Sequence, residues 1–125
     1  MPHRELLKLT NCLISGNEQF TLVAVETLAQ EGKDLKQFVN EYLSFILELT
    51  KYVLFKNIAV TNIPAYLENS ADAMTSVMAT TSFEGALDWF NYIATKLLEV
   101  KNTIKYDTSV KAIIEAYLLQ VCRRK

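Results

Sequence analysis

The side chains that could do chemistry are few and scattered. His3 is the single histidine and lies beside the chain start, while Cys12 and Cys122 are separated by almost the whole sequence. A metal centre needs three or four ligands brought together, and a catalytic histidine needs a nucleophile or an orienting partner. Nothing near His3 in the sequence supplies either, so His3 is expected to be solvated. Gly16, Gly32 and Gly85 are far apart and no Gly-Lys-Ser or Gly-Lys-Thr occurs, which excludes a P-loop. Glu26, Glu31, Glu41 and Glu48 fall mainly on polar helix faces, and no Glu-x-x-His pair is present for a di-iron bundle. The serines and threonines lie at helix caps and in the 70–82 stretch without a histidine base. No catalytic residue, no metal ligand and no cofactor is expected. The pattern favours a binding or assembly module over an enzyme.

The bulk composition narrows the class further. At 125 residues the chain is about one domain, and half of its residues are hydrophobic, enough for a core without disulfides or metal. Thirteen basic and fourteen acidic side chains leave a net charge of −1, which lacks the broad basic footprint of a nucleic-acid or anionic-membrane binder. The terminal Arg123-Arg124-Lys125 is too short to change that and reads as solvated tail. Both cysteines sit in helical patterns, where a free thiol behaves as a small hydrophobe. No signal peptide and no membrane-length apolar run is evident, so a cytoplasmic protein with reduced thiols is expected.

Three glycines and two prolines punctuate an otherwise continuous 3.6-residue apolar period, which predicts an all-α, compact bundle of about six helices in a single domain over 1–125. The first runs from about His3 to Ile14 and the second from about Glu18 to Glu31, joined by Ser15-Gly16-Asn17. Gly32 supplies a left-handed helix end and Asp34 a cap, so the second helix and the third, Leu35 to about Asn57, form a hairpin. Pro64 suits the first turn of a short helix, and Ser70 or Asp72 could cap another. The fifth is expected from after Ser82 to about Asn102, and the sixth from Ser109 to about Cys122.

Helical wheels then separate core from possible binding surface. The third helix carries a main stripe of Leu35, Phe38, Val39, Tyr42, Leu43, Ile46, Leu49 and Val53. Phe45 and Tyr52 flank it on one side, Leu47 and Leu54 on the other, so the apolar arc is about 220° wide. Such a helix is central, or one side of it meets another molecule. The fifth helix buries Phe83, Leu87, Phe90, Ile93, Ala94, Leu97 and Leu98, with Trp89 and Val100 at the margin and Tyr92 on the wet side. The sixth packs through Val110, Ile113, Ile114, Tyr117, Leu118 and Val121. Its other side bears Ala112, Ala116 and Leu119, a ridge of mostly small side chains that a neighbouring helix could approach closely. Trp89, Tyr92 and Val100 with Ala112, Ala116 and Leu119 are therefore the candidate oligomer interface.

Several blocks resemble one family in order and spacing. They are Glu5-Leu6-Leu7 through Gly16-Asn17, then Leu28-Ala29-Gln30-Glu31-Gly32-Lys33-Asp34, then Gln37-Phe38-Val39-Asn40-Glu41-Tyr42-Leu43 on to Lys56. Ile104-Lys105-Tyr106 and Ile113-Ile114-Glu115-Ala116-Tyr117-Leu118-Leu119 complete the likeness. Together they resemble the carboxy-terminal collar domain of the AAA+ region of the bacterial DNA polymerase III gamma/tau subunit, with 58–81 the least similar stretch. Where the family often has proline and arginine at the start of the last helix, this chain has Val110 and Lys111. Capping by Thr108 or Ser109 can replace that start signal.

The resemblance implies a non-catalytic oligomerisation domain. In that family the collar holds clamp-loader subunits in a ring while preceding ATPase domains open the sliding clamp for DNA replication. The parent holoenzyme is a DNA-binding transferase, a DNA-directed DNA polymerase. The implied partners are copies of gamma/tau, delta and delta-prime, with no direct nucleic-acid or membrane contact by the collar itself. An excised or naturally separate collar, monomeric in isolation or associated, fits these expectations. The alternatives are the collar of another clamp-loader subunit, or a helical adaptor gripping a peptide between the third and fifth helices. A small-molecule or enzymatic bundle would need a polar cluster within the apolar faces, and the wheels show none.

Overall fold

A computed structural model describes residues 1–78, 84–105 and 109–124, and of these the side chains of 76–78 and 84 are not considered. The described residues form a helical bundle without strands: α1 (His3–Ser15), α2 (Glu18–Gln30), α3 (Leu35–Phe55), α4 (Glu68–Met78), α5 (Glu84–Ile104) and α6 (Val110–Cys122). Two single-turn 3-10 helices, Ile58–Val60 and Ala65–Leu67, link α3 to α4.

Glycine chemistry sets the first two turns. Gly16 (φ 75°) and Gly32 (φ 72°) both occupy the left-handed region. After α1, the N–H groups of Gly16 and Asn17 donate to the Leu13 and Cys12 carbonyls; after α2, those of Gly32 and Lys33 donate to Ala29 and Leu28. Each end is a Schellman motif, in which carbonyls left open by the helix end are satisfied locally. The next helix begins at once in both cases. Asn17 Oδ1 accepts from the Phe20 N–H at 3.0 Å, and Asp34 Oδ1 accepts from the Lys36 and Gln37 N–H groups at 3.0 and 3.2 Å. The turn expected around 31–34 is therefore formed by the residues that suggested it, but the hairpin is not, because α2 packs on α1 and α6 while α3 packs on α5 and the two helices hardly touch.

The α3–α4 connection differs from expectation. The Ala65–Leu67 turn, preceded by Pro64, runs straight into α4, so Ser70 and Asp72 lie inside a helix instead of capping one. No glycine or proline stands between Leu67 and Ser70 to break the chain there. Glu48 ties the preceding loop to α3 by accepting from the Asn62 backbone N–H at 3.0 Å while pairing with Lys51 at 3.1 Å. The starts expected for α5 at Ser82-Phe83 and for α6 at Thr108 lie outside the described residues, and Ser109 precedes α6 directly.

The core gathers the expected stripes. On α3, Phe38, Val39, Tyr42, Phe45, Ile46, Leu49 and Tyr52 are buried, and α5 adds Ala86, Phe90, Ile93, Leu97, Val100 and Ile104. The closest helix partnership is between α3 and α5, and α6 lies against α1, α2 and α5. Full burial of a Leu, Ile or Phe side chain contributes about 1.5–3 kcal/mol, so this shared core outweighs any single surface ion pair of about 0–1 kcal/mol. Polar groups inside it are matched: Thr10 and Tyr42, both fully buried, share a hydrogen bond of 2.8 Å.

Candidate functional site

Reactive groups are not gathered anywhere in the described structure. No group of three His, Cys, Asp or Glu residues stands close enough to hold a metal among the described residues. His3, expected to be solvated, is half-buried with its ring 5.5 Å from that of Phe45. Burial pushes both the Cys12 and Cys122 thiols up from their ordinary range, which suppresses the nucleophilic thiolate at neutral pH. Burial opposes ionisation of Glu48 as well, but the Asn62 N–H and Lys51 outweigh it and hold its carboxyl below the usual value. A carboxylate satisfied in that way staples a loop and is not poised to accept a proton. Glu26 is likewise held low, chiefly by its hydrogen-bonded partner Lys111 on α6.

The interface candidates fall into three environments. Val100 is only 1% exposed and belongs to the core, so it is withdrawn from the surface set. Its margin position on the wheel of α5 is covered by packing within the fold. Trp89 and Tyr92 share the same side and are half-buried, Tyr92 being less wet than its charged neighbours on the wheel implied. The Arg124 guanidinium lies 4.4 Å from the Trp89 ring centroid and 5.1 Å from that of Tyr92, so both aromatics are engaged within the chain. Ala112 and Ala116 are exposed and Leu119 is half-buried. That ridge remains open on the outside of α6, as its spacing predicts.

A further open apolar surface lies on the flank of α3 that the wheel leaves ambiguous. Leu47 and Leu54 are 49% and 54% exposed, while the opposite flank, Phe45 and Tyr52, is buried. With half-buried Leu43 and Thr50 they form an i, i+4, i+7, i+11 row along one face of the helix. Phe55 at the helix end is 64% exposed, and on α5 Leu98, assigned to the core by its wheel position, is 48% exposed. The excessive width of the α3 apolar arc was the signal for this row. Leu98 gave none, because a leucine next to Leu97 fits a broad buried face equally well.

Two of the grooves that border α1 among the described residues face α2 and α4. One, of about 490 Å³, runs between α1 and α2 over Leu9, Phe20, Val23 and Leu28. The other, of about 550 Å³, lies between α1 and the Ala65–Leu67 turn with α4. These rows and grooves offer area and shape without convergent acid–base groups. No helix among the described residues is long and apolar enough to cross a membrane. Compared with family profiles, curated proteins and solved structures, the chain matches none.

Proposed function

We propose that this chain is an oligomerisation module of the DNA polymerase III clamp loader, a collar domain that holds ATPase subunits in a ring for sliding-clamp loading in DNA replication. The observation that carries the reading is the Leu43–Leu47–Thr50–Leu54 row on α3, apolar surface left open on a helix whose other side is core. The gamma/tau resemblance supports it, and the Gly32–Asp34 hinge central to that resemblance forms a Schellman end followed by an Asp cap. On this reading the chain is not itself an enzyme. Its partners are further gamma/tau copies, delta and delta-prime, and it touches neither nucleic acid nor membrane directly.

A head-to-tail ring requires two different faces on each subunit. On this reading the α3 row supplies one apolar face, and the Ala112–Ala116–Leu119 ridge supplies a second. The test is affinity capture from a lysate of the source organism with this chain as bait, repeated with Leu47→Glu and with Ala116→Glu. Recovery of delta, delta-prime or gamma/tau by the parent chain, and its loss in either variant with unchanged thermal melting, is the expected result. Retention of a single unrelated protein through a short segment would replace the collar reading with the adaptor one.

A further inference from the structure

The groove between α1 and α4 combines an apolar floor with a basic rim. Leu7, Leu67 and Met74 form a buried apolar floor, and Arg4, Lys8, Asn11, Tyr66, Ser70 and Ala73 complete its lining. Arg4, Lys8 and Asn11 recur at i, i+4 and i+7, so they share one stripe of α1. The Arg4 guanidinium carbon lies 5.3 Å from the ring centroid of Tyr66, which is itself 64% exposed. Stacking of this kind orients the guanidinium plane and leaves its N–H edge available to a planar acceptor.

Charge is segregated around the groove. No lining residue is acidic, and among the described residues no carboxylate lies within ion-pair distance of Arg4 or Lys8. The acids of the facing segment, Glu68 and Asp72, fall on another side of α4, at 100° per residue, and their negative charge acts on Tyr52 of α3. Lys8 also lines the groove, with its ammonium leaning toward α2, 4.8 Å from the Phe20 ring. In a chain of net charge −1, one groove is thus locally positive over an apolar floor.

We infer that this groove binds an acidic peptide segment of a partner protein, one carboxylate taken by Arg4 and an apolar side chain laid over Leu67 and Met74. The lined stretch of α1, residues 4 to 11, is about 10 Å long at 1.5 Å per residue, two helical turns. A groove open to solvent along that length suits a passing chain, whereas small-molecule sites enclose most of their ligand. Ser70 and Ala73 are small enough for a peptide backbone to come close. The groove uses none of the α3, α5 or α6 surface residues, so the inference stands independently of the assembly reading.

The test is fluorescence anisotropy of the full chain with a labelled short peptide of leucine, phenylalanine and glutamate, and with its counterpart carrying glutamine for glutamate. Amide chemical shifts locate the contact. Saturable binding of the glutamate peptide is expected, with shifts at Asn11, Ser70 and Ala73. Binding should weaken about tenfold or more for the glutamine peptide, for Arg4→Glu and for Tyr66→Ala, since charge-assisted pairs and their pre-orientation are removed. Lys36→Glu, a charge reversal on an exposed residue of α3, should change it less than about twofold. Absence of binding, equal binding of both peptides, or shifts confined to the α3 row would overturn the proposal. So would equal shifts with acetate alone, which would make the groove a simple anion site.

Discussion

Removing one side of the buried Thr10–Tyr42 hydrogen bond is expected to cost more than removing both. The Thr10 hydroxyl donates to the Leu6 carbonyl at 2.8 Å, so in the 2.8 Å bond between Thr10 Oγ1 and Tyr42 Oη the phenol is the donor. Both residues are fully buried, and no described buried side-chain N or O lacks a partner. Thr10→Val leaves the Tyr42 hydroxyl in a dry interior without an acceptor, a penalty of about 1–3 kcal/mol. Tyr42→Phe removes the donor but leaves Thr10 bonded to Leu6, so the loss is only that of a typical bond, about 0.5–1.5 kcal/mol. The double variant strands no polar group and should be destabilised by no more than Tyr42→Phe alone. Urea unfolding of the four proteins, read as a double-mutant cycle, measures this directly. Single effects that add to within about 0.5 kcal/mol would refute the assignment of the phenol as donor to Thr10.

Alkaline pH should destabilise the fold through the same residue. Burial raises the Tyr42 pKa far above its ordinary value, so the native state keeps a proton that the unfolded chain loses near pH ~10. The stabilisation is complete below that pH and is lost as pH rises above it, at up to about 1.4 kcal/mol per pH unit. The raised Tyr52, Cys12 and Cys122 act with the same sign, so Tyr42→Phe should flatten the alkaline limb of a stability–pH profile without abolishing it. Gly16→Ala and Gly32→Ala each force a side chain into the left-handed region, at about 1–2 kcal/mol. Gly16→Ala should lower the melting temperature further, because its Cβ would stand 3.2 Å from the Cys122 carbonyl oxygen whereas nothing lies within 4 Å at Gly32. Equal melting temperatures would remove that close approach from the account.

The helices whose ends are written in local chemistry were the most legible. Gly16 with Asn17 and Gly32 with Asp34 encode both an ending and a beginning, and α1, α2 and α3 start at the expected residues. Ser70 and Asp72 misled because a good capping residue is also tolerated within a helix when nothing upstream breaks the chain. The surface was less legible, because a wheel gives an angle and not a neighbour. Trp89 lies against Arg124 just past α6 and Val100 is buried, while Leu98 lies on a side that no described helix fully covers. Leu47 and Leu54 could be read from the surplus width of the α3 arc alone, but choosing which flank was open required knowing where α1 and α5 pack.

The end of α6 meets the α1–α2 turn through three contacts: Gly16 against the Cys122 carbonyl, Thr21 Oγ1 at 3.5 Å from Cys122 Sγ, and Arg123 at 2.8 Å from Glu18. The partners are roughly 100 residues apart in sequence, so loop closure over nearly the whole chain precedes them. On a ribosome adding about 5–20 residues per second, α1, α2 and α3 emerge seconds before the helix that covers them. Their turns form from local bonds, but the α6 side of α1 and α2 stays uncovered until the thirteen residues of α6 have left the tunnel. α6 therefore acts as the latch that closes α1 and α2 into the bundle.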